Sequence, residues 1–149
     1  MITAIEALPE HVHEVMADLR EHDRRELALM TRNPIGHSLA ASIAAGNAFS
    51  AVYQGQIIGL YGAPKTGMSQ GTPWMVATNQ MFEIPHLVAR YNRKIVSGWM
   101  KEFDYMFNYI DTNNEVTKNW IKWLGFRLWP ARPYGPYGHP FHKFDWVKT

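Results

Sequence analysis

The chain has 149 residues, of which 46% are hydrophobic and 19% are charged, so it has the length of one domain and the composition of a folded one. It contains no cysteine, which excludes disulfides, thiolate zinc sites and cysteine nucleophiles and is consistent with a reducing environment. No apolar run reaches the roughly 18 residues that a membrane-spanning helix needs. The acidic start of the chain lacks the hydrophobic region of a secretory signal, and none is predicted.

The net charge of +2 is unevenly distributed along the chain. Residues 1–31 carry seven acids and three bases, a balance of −4, whereas the remainder carries twelve bases and six acids, a balance of +6. A solvated acidic helix explains the first segment, and an electrostatic interface with a partner is the alternative. Because the bases are dispersed along the chain, the sequence gives no strong indication of nucleic-acid binding.

The first part of the chain predicts a strand, helices and a hairpin from its periodicity and its turn residues. These elements are a strand over residues 2–7, a helix that begins near Pro9, helices over 23–30 and 38–45, and hairpin strands over 48–53 and 56–61. A proline in the first helical turn costs no intrahelical hydrogen bond, and a Gln-Gly pair separates the two hairpin strands.

The second part predicts a long helix between strands. Its elements are a loop over 64–73, a strand over 74–81, a helix from Pro85 to residue 105, a strand over 107–110, a helix over 114–124 that ends at Gly125, an extended loop over 130–140 and a strand over 141–147. The long helix has one apolar stripe at spacings of three and four residues. This order predicts one domain, residues 1–149, with a mixed and mostly antiparallel sheet flanked by helices, and with a segment at 130–144 that is rich in proline, glycine and aromatic residues.

The stretch NEVTKNWIKWLGF, residues 114–126, carries a resemblance to a known fold. Asn114, Gly125 and Phe126 stand at the spacing of the second substrate-side motif of the GNAT acetyltransferases, and the order of the predicted elements resembles the order in that family. The resemblance implies a GNAT-like α/β (α+β) fold. If the protein is an active member of the family, the resemblance also implies that acetyl-CoA is its acetyl donor.

The chain more closely resembles a family of short-tailed phage proteins related to internal virion protein A. The similarity depends on the order and spacing of four stretches, namely HDRRELALM, PWMVATNQM, NWIKWLGF and PYGPYGHPFHKF. It implies a bacteriophage virion or morphogenesis protein whose partners are other virion proteins or further copies of itself. The implied location is the host cytoplasm during assembly, or the virion interior.

Two departures from active GNAT members argue against catalysis. Such enzymes bind the coenzyme A pyrophosphate on a glycine-rich turn at the start of the long helix, where backbone N–H groups face the phosphates. Here the segment from Glu83 has no glycine before Gly98, and Pro85 removes an N–H donor. Many members also use a tyrosine to protonate the departing thiolate, and the corresponding residue here is Ile121, which has no proton to donate.

The candidate catalytic residues are Glu83 and Asn114. Glu83 is the only carboxylate between residues 27 and 101, which makes it the default general base, although a surface charge at a helix entry is the alternative. The candidates for holding a phosphate of a cofactor are the basic residues at the start of the long helix, His86, Arg90, Arg93 and Lys94. Solvated side chains are the alternative for these as well.

The tail provides the candidate interface residues, which are Tyr134, Tyr137 and Phe141. Prolines stiffen the segment, and tyrosine suits an interface that is partly apolar and partly wet. The alternative is that the tail folds back over its own sheet. No metal site is predicted, because His11 and His13 diverge on a helix and the tail histidines lack a cluster of carboxylates.

Two hypotheses follow for the function. The preferred one is a non-catalytic phage virion or morphogenesis protein on a GNAT-like scaffold, acting through protein contacts, with no cofactor and an affinity for acetyl-CoA weaker than about 1 mM. The alternative is an active GNAT N-acetyltransferase that transfers acetyl from acetyl-CoA to a host protein or a small amine.

Overall fold

Short strands and helices follow one another along the whole chain. A computed structural model describes all residues from Met1 to Thr149. The elements are β1 (Thr3–Glu6), α1 (His11–Met16), α2 (Glu21–Met30), α3 (Ile35–Ala44), β2 (Ala48–Tyr53), β3 (Gln56–Gly62), β4 (Lys65–Gly67), β5 (Gln70–Gly71), β6 (Trp74–Ala77), a 3₁₀ turn (Asn79–Glu83), α4 (Pro85–Glu102), β7 (Tyr105–Asp111), α5 (Glu115–Trp123), β8 (Arg127–Leu128), β9 (Arg132–Tyr134) and β10 (His139–Val147).

These strands form two sheets. The first has the order β1-β2-β3-β6 and is antiparallel throughout. The second has the order β4-β5-β7-β10-β8, with β9 also paired to β10, and only the β5–β7 pair is parallel. In the predicted hairpin of β2 and β3, Gln54 and Gly55 have φ angles of 51° and 76°, which a two-residue turn that follows the strand twist requires.

The two faces of the sheets are covered by different helices. On one face α1 and α3 pack on the first sheet, and Val15, Leu39 and Leu60 are almost completely buried there. On the other face α4 and α5 cover both sheets around Trp99 and Ile121. The face of the second sheet next to α2 has no helix of its own, and β9 with the turn after it covers only part of it. The predicted mixed, mostly antiparallel sheet flanked by helices is confirmed.

The predicted loops at 64–73 and 130–140 are wrong in part, because both contain short strands. Gln70 and Gly71 pair with Tyr105 and Met106, and β9 pairs with β10. Local composition rich in proline and glycine indicates turns, but the partners of these backbone groups come from strands elsewhere in the fold. No helix of the protein is both long and apolar enough to cross a bilayer.

Three predicted boundaries move by three residues or more. The strand that begins at residue 74 ends at Ala77, because the chain then enters the 3₁₀ turn. The long helix ends at Glu102, because Phe103 has an extended backbone and the next residues lead into β7. α3 begins at Ile35, three residues early, because Pro34 serves as its N-cap with a non-helical ψ of 144°.

Candidate functional site

The candidate site is the cleft where β6 and β7 separate between the two sheets. Asn108 Nδ2 donates to the carbonyl oxygen of Pro73 at 2.7 Å, which ties β7 to the beginning of β6. Beyond this contact the strands do not pair with each other. The resulting cavity has a volume of about 230 Å³ and a predominantly hydrophobic lining that includes Trp120 and Ile121 of α5.

Helix α2 spans the open end of this cleft with two carboxylates. Asp23 Oδ2 accepts a hydrogen bond from the N–H of Ala77 at 2.8 Å, at the last residue of β6. Glu26 Oε1 accepts from the N–H of Asp111 at 2.9 Å, at the last residue of β7. Residues three apart share a face of a helix, so α2 places one carboxylate at the end of each separated strand.

Glu26 is the only carboxylate that lines the cleft. It lines the cavity and is only partly exposed. Burial, reinforced by the carboxylates of Asp23 and Asp111, raises the pKa of Glu26 to about 8, although the hydrogen bond from Asp111 N–H favours the ionised form. A carboxyl group with this pKa exchanges its proton near neutral pH, which suits a general base.

Asp111 connects α2, β7 and the tail. Its carboxylate is completely buried, and Oδ1 lies 2.7 Å from His139 Nε2 while Oδ2 lies 3.3 Å from Arg25 Nε. Burial alone would raise the pKa of Asp111, but the hydrogen bonds from Asn113 N–H, His139 and Arg25 outweigh it and lower the pKa. Asp111 therefore stays ionised beside Glu26 and fixes the turn between β9 and β10 next to the cleft.

Several buried polar atoms in and beside the cleft have no hydrogen-bond partner. Trp74 Nε1, Asn92 Oδ1 and Thr117 Oγ1 belong to residues that line the cavity, and Asn114 Nδ2 lies at the start of α5. Asn92 and Asn114 are only 2% and 1% exposed. An unsatisfied buried polar group costs about 1–3 kcal/mol, so these atoms reduce the stability of the fold around the cleft.

The start of α4 lies where the resemblance implies a phosphate site. Pro85 has no N–H, and the N–H of Val88 donates to Ile84 O at 3.1 Å as an early bond of the helix. Helix geometry leaves the N–H groups of His86 and Leu87 without intrahelical acceptors. This end of the helix therefore keeps two free N–H donors despite the absence of glycine.

The three other candidates for phosphate binding lie on the exposed surface of α4. Arg90, Arg93 and Lys94 are exposed and belong to none of the ion pairs. The guanidinium of Arg93 lies 4.1 Å from the centre of the Trp123 ring, which fixes it between α4 and α5. Arg90 and Lys94 have no such ring contact and are available to meet an anion beside α4.

The two candidate catalytic residues occupy different environments. Glu83 is exposed at the end of the 3₁₀ turn and does not line the cleft. Asn114 is the N-cap of α5, where its Oδ1 accepts from Thr117 N–H at 3.4 Å, and it lies beside Glu26. Asn114 is thus at the site, and the carboxylate at the site is Glu26.

The tail residues divide between core and surface. Phe141 is 1% exposed and belongs to the core, so its prediction as an interface anchor is wrong. Tyr134 stacks on Tyr109 with ring centres 4.0 Å apart, and Tyr137 is 58% exposed beside Arg32. The tail folds back over its own sheet, which is the alternative considered from the sequence.

Sequence reasoning did not identify Glu26 as a functional residue. The visible signal was two acids three residues apart in HDRRELALM, which place two carboxylates on one helix face. Such pairs are common on solvated helices. Only the packing of α2 across the ends of β6 and β7 distinguishes this one.

Comparison with solved structures identifies the fold. The Ard1 protein from Thermoplasma volcanium has a TM-score of 0.78 at 12% identity, over 99% of this chain and 98% of that one. The ribosomal-protein-S18-alanine N-acetyltransferase from Escherichia coli has a TM-score of 0.70 at 10% identity, over 100% and 96%. A GNAT phosphinothricin acetyltransferase from Sinorhizobium meliloti in complex with acetyl-CoA has a TM-score of 0.71 at 13% identity, over 99% and 88%. No protein-family model matches the sequence, and no curated protein matches it.

The protein therefore has the GNAT acetyltransferase fold, over its whole length. The interpretation as a non-catalytic structural protein of a phage virion is wrong, because the similar structures named above are acetyltransferases. The expectation that no cofactor binds also loses its support, since the similar structures include complexes with acetyl-CoA and with coenzyme A.

Proposed function

We propose that the protein is a GNAT-type N-acetyltransferase that transfers acetyl from acetyl-CoA to a primary amine, with Glu26 as the general base. The observation that carries the proposal is a carboxylate, Glu26, that lines the cleft between β6 and β7 and is held by the N–H of Asp111 at 2.9 Å. Burial raises the pKa of this group to about 8. Structural ion pairs do not explain this carboxyl, because Glu26 belongs to none. A base with this pKa is matched to removing a proton from an amine near neutral pH.

The residues of the cleft fit the two chemically different ends of acetyl-CoA. The predominantly apolar walls suit an acyl chain. The free N–H groups of His86 and Leu87, with the exposed bases of α4, suit phosphates. When bound, acetyl-CoA supplies a thioester carbonyl that is already activated towards nucleophiles.

Glu26 and Asp111 have different roles in the cleft. Glu26 accepts the proton that the acceptor nitrogen loses as the N–C bond forms and the C–S bond breaks. Asp111 remains ionised through its bonds to His139 and Arg25, and its negative charge keeps Glu26 basic. The N–H of Asp111 holds one carboxylate oxygen of Glu26, and the side chain of Asn114 lies beside this carboxyl group, so Glu26 is fixed in position in the cleft.

The absence of a tyrosine at Ile121 is compatible with this chemistry. A thiol has a pKa of about 8.5, so a thiolate is a good leaving group near neutral pH without full protonation. Thr117 lies one turn before Ile121 on the cleft-facing side of α5, and its buried hydroxyl has no partner. Because this hydroxyl has almost no accessible surface, the mechanism assigns it no proton transfer.

Acetyl-CoA is expected to bind with a dissociation constant below about 1 mM, in contrast to the weak binding that the missing glycines suggest. Replacing Arg90 and Arg93 together with alanine should weaken binding by about 10-fold or more, because two cations next to the phosphates are lost. Isothermal titration calorimetry on the full chain measures both values.

Lys101→Ala is the matched control, since Lys101 is an exposed base in the last turn of the same helix. It should leave the affinity for acetyl-CoA unchanged. An absence of binding at about 1 mM acetyl-CoA, or equal losses in the Arg90/Arg93 and Lys101 variants, would refute the proposed binding mode.

A further inference from the structure

A second cavity lies on the face of the second sheet that no helix covers. It has a volume of about 420 Å³, within the usual range for a small-molecule site. Its walls come from β7, the segment that joins β8 to β9, β9 itself, and β10. The cavity is thus formed by the same tail that the hydrogen bond between His139 and Asp111 fixes beside the cleft.

The walls of this cavity are aromatic. Tyr109 and Tyr134 stack with ring centres 4.0 Å apart and an interplanar angle of 18°. Phe141 packs against Tyr134 at 5.4 Å, and Trp129 contributes a further ring that is 41% exposed. Flat rigid rings of this kind favour a flat or aromatic ligand group.

The charge of the cavity is entirely positive. Arg132 and Lys143 line it, and no carboxylate does. Neither side chain belongs to one of the protein's ion pairs. The closest acid along β10, Asp145, is already neutralised by Arg127 at 3.0 Å. The ammonium of Lys143 lies 5.2 Å from the ring centre of Phe107 and 5.9 Å from that of Tyr105, but neither Lys143 nor Arg132 pairs with a carboxylate. Two cations without an anionic partner in one cavity are complementary to an anionic group of a ligand.

The cavity adjoins the proposed reaction site. Tyr109 lines both this cavity and the cleft that contains Glu26. Two residues further along β7, Asp111 donates its N–H to Glu26. A ligand seated against Tyr109 therefore lies next to the cleft.

We propose that this cavity is the acceptor site, and that the acceptor is a free amino acid with an aromatic side chain, whose carboxylate meets Arg132 and Lys143. The aromatic group stacks among Tyr109, Tyr134 and Trp129, and the amine extends towards the cleft. This inference rests on the proposed acetyltransferase function for the identity of the acceptor, but the recognition of the carboxylate is a separate claim.

Calorimetric binding of L-phenylalanine and of L-phenylalaninamide to the full chain tests this separate claim. At about pH 6 both amines are protonated, so the two ligands then differ only in the carboxylate. L-Phenylalanine should bind at least about 10-fold more tightly. The double variant Arg132→Gln/Lys143→Gln should lose this preference. Lys65→Gln, at an exposed base on β4, should retain it.

The inference is overturned by equal affinity for the acid and the amide, by a preference that survives in the double variant, or by no binding of L-phenylalanine at about 10 mM. Circular dichroism and the melting temperature establish that the variants are folded. Release of free thiol from acetyl-CoA in the presence of L-phenylalanine is measured separately. Carboxylate-dependent binding without any acetyl transfer to this or other amines refutes the proposed function and leaves the ligand site in place.

Discussion

Glu26→Gln is expected to lower kcat/KM for acetyl transfer by about 10²–10⁴-fold, the range that a positioned general base contributes. Glutamine keeps the size of the side chain and an oxygen that accepts the N–H of Asp111. The loss therefore reports proton transfer and not the geometry of the cleft. The measurement is the rate of thiol release from acetyl-CoA with a primary amine as acceptor.

The pH dependence of the same reaction gives a second readout. In the wild-type protein both the acceptor amine and Glu26, whose pKa is about 8, have to lose a proton before reaction. Below pH 8, log kcat/KM should therefore rise with a slope of about two per pH unit. In the glutamine variant only the amine ionises, and the slope should fall to about one.

The same substitution is expected to stabilise the protein above pH 5. Glu26 titrates near 4.5 when unfolded and near 8 when folded, so between these values the folded state binds more protons than the unfolded state. The free energy of unfolding of the wild type therefore decreases as the pH rises through this window. Because glutamine does not ionise, the variant should gain on the order of 4 kcal/mol relative to the wild type between pH 5 and pH 9.

Glu21→Gln is the control for both effects, since Glu21 lies in the first turn of the same helix and is exposed. It should change neither the reaction rate nor the pH dependence of unfolding. A wild-type rate in the Glu26 variant would remove Glu26 from the mechanism. A stability difference that does not change between pH 5 and pH 9 would contradict the raised pKa.

Phe141→Ala is expected to reduce the free energy of unfolding by about 3–5 kcal/mol, because it removes a buried aromatic ring and leaves a cavity. Phe141 is 1% exposed and packs against Tyr134 and His139. Chemical denaturation measures the change. A loss of this size in a domain of ordinary stability leaves a marginally folded protein.

Tyr137→Ala is the matched aromatic change in the same tail, where the ring is 58% exposed. Its effect on the free energy of unfolding should stay within about 0.5 kcal/mol. Similar stabilities of the two variants would mean that the tail does not pack on its own sheet. That result would support the hypothesis that the tail is an interface segment.

Much of the local structure was predictable from residues that are neighbours in the chain. Gln54 and Gly55 adopt the positive φ angles of a tight hairpin turn, and polar-glycine pairs have this preference in any context. Asn114 caps α5, and Gly125 ends it with a φ of 106°. These preferences are intrinsic to the residues, so the order of the elements and the fold class followed from the sequence.

Other elements depend on partners that the local sequence does not reveal. β5 is a strand because it pairs with Tyr105 and Met106, more than thirty residues later. The tail is a hairpin because β10 pairs with β7 on one side and with β8 and β9 on the other. Prolines and glycines in both segments favour turns, and only the tertiary partners decide which residues between the turns become strands.

The candidate site shows the same division between local and tertiary information. The sequence by itself determined the residue types and the face of α2 that carries Asp23 and Glu26, because helical spacing alone fixes that face. Only the tertiary structure decided that Glu26 meets Asp111, 85 residues away, and that both carboxylates close the ends of separated strands. A pKa depends on burial and on charges within a few ångströms, which arise from folding and not from order along the chain.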